Sequence, residues 1–244
     1  MTLQFIPDTH TYQLLEKPDL KFTSVSKLIE QVKPKFDKDY WSEKKAKERG
    51  ITKEEVLAEW AEINRVSLEK GTKYHNEYEQ KLLQGKRTHP SIETEGIKQA
   101  HDLTDLLPGI HPELIIYNLR HGVVGTADIV EIYEDKSFDL RDHKTNKEIK
   151  FESFKKYDPN THQRKSVKML SPLVHLDDCN GMHYTIQLSL YAYMLEQFGY
   201  KCNSLTIHHV IFDENNEPCN VIDYPIEYMK KEVINLLNWY KTKQ

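Results

Sequence analysis

The sequence predicts an α/β fold, a mixed central sheet flanked by helices. Three observations carry this expectation. Helical apolar spacing dominates to about residue 107; three short apolar runs with turn residues between them follow; the chain then closes as helix, hairpin and helix. At 244 residues it is long enough to bury a substantial core.

The first segment reads as a hairpin, Leu3-Gln4-Phe5-Ile6 and Tyr12-Gln13-Leu14, with a turn at Pro7-Asp8-Thr9. Ser24 or Ser26 can cap a helix that passes through Leu28-Ile29 and ends before Pro34. Lys38 to about Leu83 is helical, broken near Gly50-Ile51-Thr52. Thr52 followed by Glu55 fits a capping box, and Val56, Leu57, Trp60, Ile63 and Val66 give the second helix an apolar stripe. A third helix is expected over Ser91–Leu107, stopped by Pro108-Gly109.

The texture then changes. Glu113–Tyr117, Val123–Tyr133 and Ser137–His143 read as strands, with Glu134-Asp135-Lys136 as the turn between the last two. Thr145 to about Asn180 is polar, basic and irregular. Met182–Phe198 returns to helix, Ser204–Phe212 and Val221–Tyr224 are strands about a turn at residues 214–217, and a last helix covers about Glu227–Tyr240.

Composition excludes several classes. Hydrophobic residues make up 38% and charged residues 30%, which describes a polar globular chain. No apolar run nears the roughly 20 residues that cross a bilayer, so no membrane partner is expected. The N-terminus lacks a signal-peptide pattern, and the default expectation is cytoplasmic. Cys179, Cys202 and Cys219 form no C-x-x-C pair, so neither a disulfide framework nor an iron–sulfur cluster is expected. With a net charge of −4, any nucleic-acid surface must be local.

The chemistry centres on Gly125-Thr126-Ala127-Asp128 and Asp142-His143-Lys144. Strand residues two apart share a face, so Asp142 and Lys144 project together while His143 points away. Asp128 belongs to the neighbouring strand of the same hairpin, which brings two carboxylates together. A hard divalent cation resolves their repulsion, and an adjacent ammonium suits a phosphate or its transition state. A D-x-K triplet alone is also an ordinary feature of surface hairpins. His75 and Glu79, one helical turn apart, add a candidate nitrogen ligand; a histidine hydrogen-bonded to Glu79 is the plainer alternative. Gln187 and Tyr191 share a face of the later helix, whose Leu188 and Leu190 suit a core.

The order H-x-x-x-E, G-T-A-D, D-x-K, Q-x-x-x-Y resembles the RecB-type branch of the PD-(D/E)XK nuclease superfamily. The opening Thr23-Ser24-Val25-Ser26-Lys27-Leu28-Ile29 is similar to the start of the mitochondrial genome maintenance exonuclease and its phage relatives. The resemblance spans roughly residues 22 to 193. It implies a restriction-endonuclease-like core, with His75, Asp128 and Asp142 as ligands of Mg²⁺ or Mn²⁺. Lys144 becomes the catalytic base or charge stabiliser, Gln187 and Tyr191 the supporting pair of the catalytic site, and Glu113 a less constant acidic ligand. A single nuclease domain over 1–244 is then expected: hairpin and helices over 1–107, a catalytic core over 110–212 with a basic loop at 145–180, and a closing hairpin and helix over 204–244. If the chain is phage-encoded, its compartment is the host cytoplasm. The chain lacks a Walker A pattern, so a stand-alone nuclease, or the nuclease subunit of a larger assembly, is expected.

Between Lys147 and Lys168, seven basic residues stand against three acids, a local charge of +4, with Phe151, Phe154 and Tyr157 interleaved. Phosphate attraction plus aromatic faces is the pattern of a single-strand groove, with Lys155, Lys156, Arg164 and Lys165 as DNA contacts. A solvated insertion with its aromatics tucked onto the core is the alternative. The leading expectation is an exonuclease acting on ends of single-stranded DNA in replication, recombination or repair, alongside partner proteins of those processes. A structure-specific or restriction-type endonuclease and a catalytically silent nucleic-acid-binding protein are the competing readings.

Overall fold

The computed structural model describes every residue except Met1, Pro7, Asp8, His10, Glu95 and Gln244. Strands β1 (Leu3–Ile6) and β2 (Thr11–Leu14) pair antiparallel in the expected hairpin. Its turn lies outside the described residues apart from Thr9. After the short β3 (Thr23–Ser24), the Ser24 side chain accepts the Lys27 N–H and caps α1 (Val25–Glu30). Helix α2 (Lys38–Arg49) stops at Gly50, whose φ of +67° is a left-handed C-cap. The Thr52–Glu55 capping box then starts α3 (Lys53–Leu83).

The expected helix over Ser91–Leu107 is not formed. That segment holds β4 (Ile92–Thr94) and β5 (Ile97–Gln99), which pair antiparallel, and β5 pairs in turn with β1. Gly96, at φ +78°, takes a turn conformation that breaks a helix, and Ile92, Thr94 and Ile97 are β-branched. Sheet partners supplied from the N-terminus override the local periodicity. Leu103 and Leu106 still reach the core, but from irregular chain.

The central sheet contains β6 (Gly109–Asn118), β7 (Val123–Ile132) and β8 (Ser137–Lys144), followed by the small hairpin β9 (Lys155–Asp158) and β10 (Gln163–Ser166), which stands apart from it. This hairpin lies in the stretch expected to be irregular. Helix α4 (Asn180–Glu196) returns the chain to β11 (Lys201–Phe212), which runs parallel to β8, and β12 (Pro218–Pro225) pairs antiparallel at the edge. Helix α5 (Lys230–Lys241) closes the chain. The strand order is β12-β11-β8-β7-β3, with β6 also on β7, so the sheet is mixed. Helix α4 packs against α1, α5 and strands β6, β7, β8 and β11, burying Leu188 and Leu190 completely. The fold is mixed α/β, with the central sheet flanked by helices. Among the described residues no helix is long and apolar enough to cross a membrane.

Candidate active site

Strand register builds the site. β7 pairs with β8 from Ile132↔Phe138 to Ile129↔Arg141, and there the pairing ends. Towards its start β7 takes β3 as a parallel neighbour, while β8 continues along β11 as far as His209↔Lys144. Asp128 and Asp142 are the next residues past the last β7–β8 pair, so they meet where the two strands part. On the other side of β7, pairing steps from Pro112↔Ile129 to Leu114↔Ala127, which puts Glu113 opposite Asp128. Three carboxylates from three adjacent strands therefore fall in one row.

The backbone is shaped to hold them. Glu113 has a φ of +50°, a left-handed conformation inside a strand, next to Pro112, which has no N–H for the ladder. Asp128 Oδ2 accepts the His143 backbone N–H at 2.7 Å, doing beyond the fork what a paired strand does before it. Helix α3 brings His75 over the row, its Nδ1 3.4 Å from Asp128 Oδ2 and 3.9 Å from Glu113 Oε1. The helix is held there by aromatic contacts from its neighbouring turns. The rings of Tyr74 and Tyr78 lie 5.2 and 4.3 Å from that of His143, which points away from Asp142 and Lys144 as strand alternation requires. Glu79 is not the partner of His75; it pairs with Lys98 at 3.9 Å.

His75, Glu113 and Asp128 offer donor atoms that all lie within 4.8 Å of one another. Two carboxylates and one imidazole fit a divalent cation of the Mg²⁺ or Mn²⁺ type, the second accepting nitrogen more readily. Asp142 stands beside this trio rather than in it. Its side chain is 1% exposed, and its Oδ2 lies 2.5 Å from Lys144 Nζ. The ammonium also sits over the Tyr184 ring, 4.6 Å from its centre, and the Tyr184 hydroxyl donates to Asn146.

Electrostatics follow from burial and crowding. Burial, and after it the nearby Asp142 carboxylate, raises the pKa of Asp128. Burial alone lowers that of His75, but Glu113 and Asp128 outweigh it and bring it to about 9. Burial likewise lowers Lys144, and the two aspartates more than compensate, so its pKa is raised. The site is thus built to hold positive charge against its acids.

Gln187 and Tyr191 support the site without entering it. Gln187 Nε2 donates to the Tyr191 hydroxyl at 3.4 Å, and Tyr191 is buried. A Cβ on Gly125 would come within 2.8 Å of that hydroxyl oxygen, so the glycine of G-T-A-D is what lets the tyrosine lie against β7. Tyr191 therefore positions the strand carrying Asp128. Sequence reasoning does not find Tyr184, nor the Tyr12–Thr126 hydroxyl bond of 3.0 Å that ties the N-terminal hairpin to the same strand. No spacing rule signals either; both depend on long-range packing.

The proposed DNA contacts lie on the β9–β10 hairpin. Lys156 faces Lys165 across it, and Tyr157 faces Arg164. Lys165 pairs with Asp158 at 2.8 Å, while among the described residues Lys155, Lys156 and Arg164 have no ion-pair partner. Phe154 and Tyr157 are exposed; Phe151 leans on Tyr224.

No family model matches the sequence, and comparison with curated proteins gives no match. The crystal structure of SSO0001 is similar over 91% of this chain and 76% of that one, at 13% identity and a TM-score of 0.35, a likeness too slight to carry any functional argument.

Proposed function

We propose that this chain is a Mg²⁺- or Mn²⁺-dependent deoxyribonuclease of the RecB-type PD-(D/E)XK kind, cutting single-stranded DNA from its ends during replication, recombination or repair. The observation that carries the reading is the convergence of Glu113, Asp128 and Asp142 in one row across three strands, with His75 above it and Lys144 beside it. A plain core would not gather three acids there.

His75, Glu113 and Asp128 would hold the cation, which supplies the Lewis acidity that phosphodiester hydrolysis uses. Asp142 fixes Lys144 at 2.5 Å. Because its pKa is raised, Lys144 is held as an ammonium, the form that neutralises charge building on a phosphate rather than the form that removes a proton. Of the two roles expected for this lysine, charge stabilisation is the one the environment favours. Tyr191 and Gln187 keep β7 and its aspartate in place.

Linear and closed-circular single-stranded DNA incubated with Mg²⁺, Mn²⁺ or EDTA test the reading. The expected result is loss of the linear form alone, and only with metal. Undiminished degradation in EDTA would sink the metal site, and equal loss of the circle would make the enzyme an endonuclease.

A further inference from the structure

A second feature lies outside the metal site. Between the start of α2 and the β9–β10 hairpin runs a cleft of about 740 Å³. One wall carries Phe36, Tyr40 and Trp41, the other Phe154 and Tyr157. Four of these rings are largely in solvent, at 65% (Phe36), 55% (Tyr40), 62% (Phe154) and 53% (Tyr157) exposure. Exposed rings converging from two elements contribute nothing to the core. Three of them are nevertheless held by neighbours: Phe36 rests on Trp60 of α3 at 5.9 Å, Tyr40 on Trp41 at 5.3 Å, and the Tyr157 hydroxyl is hydrogen-bonded to His162 at 2.9 Å.

The charge lining the cleft is one-sided. Lys35 and Lys44 come from the α2 wall, and Lys155, Lys156 and Arg164 from the hairpin. The two acids present are both engaged, Asp37 in capping α2 through the Tyr40 N–H and Asp178 with His183 Nε2 at 2.8 Å. Lys165, across the hairpin from Lys156, is paired with Asp158, whereas among the described residues Lys155, Lys156 and Arg164 have no ion-pair partner and leave their charge to the cleft.

We infer that this cleft binds an unpaired nucleic-acid strand, stacking bases between the α2 rings and Phe154 and Tyr157, with the phosphates on the five basic residues. The assignment rests on the proposed nuclease function and extends it to α2, which no motif in the sequence marks. Stacking needs bases freed from a duplex, while the cations supply sequence-independent attraction.

The test is fluorescence anisotropy with a labelled oligothymidylate in EDTA, where binding is measured without cleavage. Phe36→Ala combined with Tyr40→Ala is expected to weaken binding by about tenfold or more with no change in salt dependence. Tyr40→Trp, which keeps a ring, is expected to bind like the unaltered chain, a control that a merely unfolded double variant cannot mimic. Lys155→Ala with Lys156→Ala should lower the log–log salt slope by about 0.7 for each phosphate that is no longer neutralised. Unaltered affinity in the ring variant, or equal affinity for a blunt duplex or for polyglutamate, overturns the assignment. Hydrolysis of bis(p-nitrophenyl) phosphate with Mn²⁺ reports the metal centre alone. Ring-dependent binding without that hydrolysis keeps the cleft and discards the nuclease, and hydrolysis with ring-independent binding does the reverse.

Discussion

Glu113 shows how a single residue connects backbone strain to the site. Its left-handed φ of +50° costs roughly 1–2 kcal/mol for a residue with a Cβ, and it places a carboxylate 3.9 Å from His75. Glu113→Gly and Glu113→Ala lose the same carboxylate but differ in that strain. Glycine is therefore expected to be the more stable variant by about 1 kcal/mol in denaturant melts, with both weaker in Mn²⁺ binding. An alanine variant at least as stable as the glycine one would mean the backbone is not strained there. Lys144 and Asp142 are coupled differently, since each is nearly buried and neutralises the other. Lys144→Ala leaves Asp142 uncompensated and removes the cation proposed to face the phosphate, so cleavage should fall at least about a hundredfold. Asp142→Ala should be as damaging, by releasing the lysine. Near-normal turnover in either, measured on a labelled single strand, would discard the D-x-K assignment.

At the scale of elements, local signals are readable wherever one residue decides the outcome. Ser24, Gly50 and Thr52 end or start helices by satisfying specific backbone groups; Gly50 and Thr52 can be read directly from the chain, while Ser24 shares its signal with Ser26 until the structure separates them. Thr52→Ala should cost about 1 kcal/mol by opening the capping box at the start of α3, detectable as a lower Tm with unchanged metal affinity, because His75 lies several turns away. A loss of metal binding along with stability would instead show that the whole of α3 responds as one unit. Periodicity is a poorer guide. The stripe on α3 does not all reach the core: Val56 is buried, but Ile63 is 63% exposed. The segment at 91–107 suggests a helix by its spacing yet forms strands, because β5 pairs with β1, more than ninety residues away in sequence, and β4 pairs with β5. The same limit applies to the site. The D-x-K pair, the G-T-A-D glycine and His75 stand out locally, whereas the fork between β7 and β8 and the opposing wall supplied by α2 come from pairing and packing that no short window contains.

For the molecule as a whole, the proposed metal site predicts that protons and a metal ion compete for the same groups, which would tie stability to pH. The pKa of His75 is raised to about 9 by Glu113 and Asp128 against the opposing effect of burial, and that of Asp128 is raised by burial and Asp142. The folded chain therefore holds protons that the unfolded chain has released. For His75 the stabilisation is complete below the unfolded value near 6.5 and is lost as pH climbs through about 9; the raised Asp128 changes stability in the same direction as its proton leaves. Buried His143 works the other way. Its pKa is depressed to about 3 by burial and by His208, so it destabilises the fold as pH drops below 6.5 and has no effect above it. In EDTA the Tm is thus expected to decline between pH 6.5 and 9. Mn²⁺ must displace the same protons, so its affinity should rise across that interval and its addition should restore Tm most at the alkaline end. Melting curves at fixed ionic strength, with and without Mn²⁺, check both. The His75→Ala variant should flatten the decline and much of the metal effect together. If it flattens only one, protons and metal are not sharing His75, and the donor trio is wrongly drawn.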